Sequence, residues 1–182
     1  MIGLRRGVVE LADHDPEWEN IADETIQRLW SVFGSVAKDI QHVGSTAILD
    51  IKAKPIIDIA VAVEDFGAVE ALTPTLESAG FVYRKKEFED TQLLYARGDY
   101  SKPDGIVTRF IHVVKTDSRE WSNYLNFRDY MNAHPEDART YEALKMRLAT
   151  ENPIDSGREK YLAGKHDFIV EMLRIARIWN DF

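Results

Sequence analysis

Cysteine is absent from the chain, which removes disulfides, thiolate metal sites and thiol nucleophiles and is compatible with a reducing compartment. No run approaches the ~18 uninterrupted apolar residues of a membrane-spanning helix. The opening Met1-Ile2-Gly3-Leu4-Arg5-Arg6 lacks the apolar stretch of a secretory leader. Positive charge is in deficit, with 31 acidic against 23 basic residues and a formal net charge of -8. That balance argues against a broad footprint on duplex nucleic acid and confines any phosphate site to a local cluster. These absences lead us to expect a soluble cytoplasmic protein with no membrane partner. Repeats, linkers and low-complexity segments are also missing, and 182 residues at 45% hydrophobic content suffice for one core, so 1–182 reads as a single domain.

Against this background, periodicity organises the chain. Val8–Leu11 reads as an opening strand, and His14-Asp15-Pro16 as a turn starting a helix whose apolar face carries Ile21, Ala22, Thr25, Ile26, Leu29 and Phe33. A second strand is expected over 36–43. From Ile56 to Glu64 the odd positions are β-branched, whereas the even positions hold Asp58, Ala60, Ala62 and Glu64, so Asp58 shares a strand face with two alanines. The spacing of Phe66, Val69, Leu72 and Leu76 predicts a helix that Pro74 should kink or break. Two antiparallel strands are expected over 81–88 and 92–97, joined by the charged Lys85-Lys86-Glu87, followed by a loop over 98–105 containing Ser101-Lys102-Pro103-Asp104 and a strand over 109–114. Everything after Asp117 reads as helical, with Asp117 and Glu120 as a capping box, Pro135 opening another helix, and Tyr161, Lys165, Phe168, Met172 and Ala176 forming one stripe of the last. Early interleaved strands and a helical tail predict an α+β fold whose sheet is covered mainly on one side.

Chemistry concentrates around His42-Val43-Gly44-Ser45-Thr46 and Asp58. A glycine-serine turn offers backbone N–H groups and a hydroxyl at close approach, which suits an anion. A carboxylate among Ile56, Ile57, Ile59, Val61 and Val63 needs a partner, either a ligand site or a lysine or arginine. Thr46 offers a second hydroxyl or caps the following segment. Lys54, held extended by Pro55, either neutralises a phosphate or pairs with Asp58. His112, inside an apolar strand, is a satisfied core histidine or a general base. His42 flanks the anion turn, while His14, His134 and His166 read as turn or surface residues. Arg128 and Asp129 form a helix-orienting ion pair, or Arg128 clamps a phosphate bidentately. Lys145 and Lys165 are further cations of the helical half that could face the pocket.

The order Gly44-Ser45, short spacer, Asp58 on an apolar strand resembles the nucleotidyltransferase superfamily. His42–Thr46 with Lys54–Val61, Phe127–Met131, the Ala138, Tyr141, Leu144-Lys145 and Leu148-Ala149 set, and Tyr161, Lys165 and Phe168-Ile169 resemble its GrpB branch, so the likeness spans nearly the whole chain. The resemblance implies a nucleotidyltransferase-like mixed sheet packed by helices, with a pocket between the Gly44–Asp58 edge and the C-terminal helices. It further implies metal-dependent transfer or binding of a nucleotide or small phosphorylated metabolite. Gly44 and Ser45 would cradle phosphates, Asp58 would hold Mg²⁺, Lys54 or Arg128 would offset leaving-group charge, and His112 would relay a proton. Two departures stand out: the second acid of the superfamily is Ala60 here, with Glu64, Asp90, Asp104 and Glu120 as candidate replacements, and Arg109-Phe110 stand where relatives carry extra histidines. The first favours a degenerate nucleotide or metabolite sensor. Likeness to GrpB-like domains fused to dephospho-coenzyme A kinases suggests, as a third expectation, an accessory domain for a protein partner.

Overall fold

A computed structural model describes residues 2–85, 90–99, 102, 104–152 and 157–180. The sheet is built on β3 (Ile57–Val63), in which Ile57, Ile59, Ala60, Val61 and Val63 are all inaccessible and Ala62 nearly so. The side-chain alternation that predicted this strand therefore sorts bulky residues to one face and small ones to the other. β3 runs parallel to β6 (Ile106–Lys115) and antiparallel to β2 (Ala37–Val43). β5 (Gln92–Gly98) flanks β6, and the two-residue β4 (Val82–Tyr83) closes that edge in the order β2-β3-β6-β5-β4. This is a mixed sheet with a single parallel pair among these neighbours.

The bulky face is sealed by α1 (Glu17–Phe33) and α2 (Phe66–Ser78), with Trp18, Leu29, Phe33, Val69 and Leu76 packed on the β3 isoleucines and valines. α3 (Arg119–Ala133) comes against the opposite face through Tyr124 and Arg128, so helices occupy both sides rather than mainly one. α4 (Pro135–Glu151), opened by Pro135 as expected, and α5 (Gly157–Asn180) complete the helical part, and Tyr141 stacks on Phe168 between them. A Cβ at Gly164 would lie 2.5 Å from a Leu148 methyl, so this glycine lets α5 approach α4 closely.

Several local expectations change. The opening strand is β1 (Leu4–Arg5), paired with Val107 and Ile106, whereas Val9 packs on Leu148 and Tyr161, where the helices bury it better than a sheet edge would. α2 continues unbroken through Pro74, because Val69 and Leu76 anchor both sides of it in the core. The cap of α3 is Ser118, whose hydroxyl accepts from Trp121 N at 3.1 Å, in place of Asp117. The expected strand over 81–88 is confined to Val82–Tyr83 among the described residues; its end, like Lys86, Glu87, Ser101 and Pro103, lies outside them. Among the described residues no helix is long and apolar enough to cross a membrane.

The packing predicts a sharp contrast. Ile59→Ala, at an inaccessible position, should cost about 2–5 kcal/mol of unfolding free energy, whereas Val170→Ala, on the exposed side of α5, should change it by less than about 0.5 kcal/mol. Urea titrations of both variants check this.

Candidate functional site

β3 delivers Asp58 to the small-residue face at the end where β2 turns away through Gly44. The register pairs Val43 with Asp58, which places Gly44 directly against the carboxylate. Gly44 has φ +73°, and a Cβ there would stand 2.7 Å from Asp58 Oδ2, so both the backbone angle and the available space exclude a larger residue. Ser45 and Thr46 then begin a short helical turn.

Asp58 is held from the neighbouring parallel strand. His112 is the register partner of Ala60, and its Nε2 lies 3.0 Å from Asp58 Oδ1. The side chains of His112 and Asp58 are 16% and 28% exposed, a setting shielded enough to strengthen the contact yet open to a ligand. His112 Nδ1 lies 3.0 Å from Gln92 Nε2, an amide that can only donate, so Nδ1 accepts and the imidazole proton resides on Nε2. The Tyr124 hydroxyl donates to Gln92 Oε1 at 2.8 Å. Burial, reinforced by the negative charge of Asp58, pushes the Tyr124 phenol well above its ordinary range and keeps it a donor. Donors therefore point one way, from Tyr124 through Gln92 and His112 to Asp58. Asp58 Oδ2, against Gly44, has no hydrogen-bond partner among the described residues.

The helical half supplies the opposite charge. Tyr141 of α4 brings its hydroxyl to 3.4 Å from Ser45 Oγ. Lys145, one turn on, is 0% exposed, lies 4.6 Å from the Tyr141 ring centre and donates to the Lys52 carbonyl. Lys165 of α5 and Lys54 stand 4.7 and 4.2 Å from the centre of the Tyr161 ring. Burial, with the nearby Lys165 charge, lowers Lys145 to about 7 against a smaller opposing pull from Glu142. None of the ion pairs among the described residues involves Lys145 or Lys165.

The remaining candidates are placed as follows. Arg128 donates from Nη1 to Gln41 Oε1 and the His42 carbonyl at 3.1 and 2.9 Å and from Nε to Asp129 at 2.7 Å, tying α3 to β2. Thr46 is buried with its hydroxyl 2.9 Å from His42 Nε2, on the α1 side of the sheet. Glu64 lies six residues along β3 from Asp58, roughly 20 Å away at strand rise, and is exposed beside Lys38. Among the described residues no group of three histidine, aspartate or glutamate side chains could hold a metal ion. Ala60 is inaccessible beneath His112, and one oxygen of Asp58 is committed to an N–H. This donor set does not fit a two-metal carboxylate clamp. Gln92 and Tyr124, absent from the sequence reading, complete the relay; a polar residue opening β5 was the one available signal for Gln92.

Comparison with known proteins places this geometry. A family model described as GrpB protein matches residues 8–174. A glutamate-rich protein GrpB of Alkalihalophilus pseudofirmus is 35% identical over 95% of this chain and 98% of its own length. UPF0157 protein YqkA of Bacillus subtilis is 29% identical over 94% of the chain but only 48% of its length, and a dephospho-CoA kinase of Mycolicibacterium paratuberculosis is 28% identical over 98% and 48%. The chain thus spans about half the length of these two relatives. The crystal structure of conserved protein GrpB from Enterococcus faecalis superposes with TM-score 0.83 at 28% identity, covering 93% of this chain and 99% of that one. Cid1 poly(U) polymerase bound to MgGTP gives TM-score 0.52 at 12% identity over 76% of this chain and 44% of that one, which identifies the fold as nucleotidyltransferase-like.

His42 generates a pH prediction. Burial, with the Arg128 charge, holds it down at about 4 against the attraction of Asp58, compared with 6.5 when unfolded. A depressed folded value gives stability that is complete above 6.5 and lost as pH falls toward 4, on the order of 3 kcal/mol. Urea unfolding at pH 7.5 and 4.5 should show a smaller loss for His42→Gln than for wild type; equal losses would refute the assignment.

Proposed function

The chain belongs to the GrpB family, and from that premise we propose that it binds a nucleotide or other small phosphorylated ligand between the Gly44–Asp58 end of the sheet and the α4–α5 pair. One observation carries the reading. Lys145 is a fully buried lysine on which the Lys165 charge acts more strongly than the opposing charge of Glu142, and it lies against Tyr141, which reaches Ser45. A buried cation with no carboxylate at ion-pair distance among the described residues is costly, and an anionic ligand removes that cost. The arrangement also sets direction. Asp58 repels phosphate and accepts a hydroxyl hydrogen through Oδ2, so the sugar or alcohol part lies at Asp58 and the phosphates extend past Ser45 toward Lys145, Lys165 and Lys54.

The donor chain ending on Asp58 favours a second reading, transfer of a nucleotidyl group to a hydroxyl acceptor. There the acceptor oxygen would form the new bond to the α-phosphorus, its proton would pass to Asp58 Oδ2, and the bond to the departing pyrophosphate would break. The name of the dephospho-CoA kinase relatives adds dephospho-CoA to the compounds to be tried.

Calorimetric titration of the four nucleoside triphosphates and dephospho-CoA, with Mg²⁺ present, tests the reading. Saturable binding at one site per chain is expected, weakened roughly tenfold or more in Ser45→Ala. Pyrophosphate released by wild type and not by Asp58→Asn would select transfer over binding alone. Failure of every compound to bind would overturn the proposal.

A further inference from the structure

A phosphate chain brings several negative charges, and something must offset them. In a site built on paired carboxylates, divalent ions do so. Here the face around Asp58 lacks the donors for such ions: Ala60 has no side-chain oxygen, the ring of His112 spans from above it to Asp58 Oδ1, and no three-residue ligand set exists among the described residues. The cations sit instead on the protein. Lys145 and Lys165 are electrostatically coupled without a carboxylate at ion-pair distance among the described residues, and Lys54 shares the Tyr161 ring with Lys165. Position matters as much as number. Lys145 is fixed by the Lys52 carbonyl and by Tyr141, and Gly164, next to Lys165, lets α5 close on Leu148 of the helix that carries Lys145.

We infer that this lysine cluster, with the Ser45 hydroxyl, is a polyphosphate subsite that works without a divalent cation, the ammonium groups of Lys145 and Lys165 supplying the charge a metal would otherwise bring. The inference rests on the phosphorylated-ligand reading above and deepens it. A consequence follows for protons. The groups facing Lys145 are Tyr141 and Glu142 on its own helix, Lys165 on α5 and the Lys52 carbonyl on the segment before β3, with Tyr161 and Lys54 next to Lys165. Burial, with the Lys165 charge and against the smaller pull of Glu142, lowers Lys145 to about 7 and leaves it half-protonated near neutral pH. An arriving phosphate favours the charged form, so the site takes up a proton as it fills, and affinity falls as pH rises above 7.

The test uses inorganic tripolyphosphate as probe, titrated calorimetrically into the full chain in EDTA and, separately, in excess Mg²⁺. Titrations at pH 6.5 and 8.5, in two buffers of different ionisation enthalpy, count protons. Saturable binding in EDTA is expected, stronger at pH 6.5, with proton uptake, and weakened roughly tenfold or more in Lys145→Met and in Lys165→Met. Lys165 is only partly buried, so its variant keeps the test open if Lys145→Met unfolds, and circular dichroism melts verify folding. Lys145→Arg, which stays charged, should bind without proton uptake. Binding seen only with Mg²⁺, no binding at all, or binding indifferent to both lysines would overturn the inference. Nucleotide binding that requires Mg²⁺ would leave the proposed function standing while this inference fails; tripolyphosphate binding without any nucleotide binding would do the reverse.

Discussion

The site depends on one constraint: a carboxylate at the mouth of a buried strand must be held without being neutralised. The contact from His112 to Asp58 meets it. In the parallel pair β3–β6 the register sets His112 beside Ala60, and only a residue as small as alanine leaves the ring room to reach back to Asp58. Gly44, Gln92 and Tyr124 all serve this contact, the first by clearing space beside Oδ2 and the others by fixing which nitrogen carries the proton. The alanine in place of a second acid therefore goes with a different arrangement, in which an imidazole N–H and not a second carboxylate meets Asp58.

That exchange shapes the rest of the pocket. With Asp58 at the sheet end, charge complementarity to the proposed phosphate would come from elsewhere, and α4 and α5 carry the candidates, 0% exposed Lys145 and its neighbour Lys165. In that reading the helical part is half of the site as well as a cover for the sheet. Tyr141 joins the halves, touching Ser45 on one side and Lys145 on the other. In the proposed reading, the carboxylate at one end and the lysines at the other would orient a ligand with distinct hydroxyl and phosphate ends and disfavour the reversed pose.

Much of this was legible in the sequence where the signal is local. The alternation from Ile57 to Val63 identified β3 and the face bearing Asp58, and the small residues at Gly44-Ser45 marked the turn beside it. What could not be read arises from contacts distant in the chain. Gln92 reaches His112 across 20 residues and Tyr124 across a further helix start, and neither residue type carries a spacing signature. Lys145 sits on a helix stripe that resembles solvated lysines until tertiary packing buries it. Glu64 illustrates the converse: same strand face as Asp58, but at the far end, so alternation alone grouped residues that distance separates. Arg128 likewise carried two readings until the fold supplied Gln41 and the His42 carbonyl as its acceptors.

The most direct test of the central claim is the ¹⁵N NMR signature of the His112 ring at pH 7.5, assigned with His112→Gln. The account predicts a single tautomer, protonated on Nε2 and bare on Nδ1, that is lost in Gln92→Leu while the fold is retained. A ring protonated on Nδ1, or one exchanging freely between tautomers in the wild type, would contradict it.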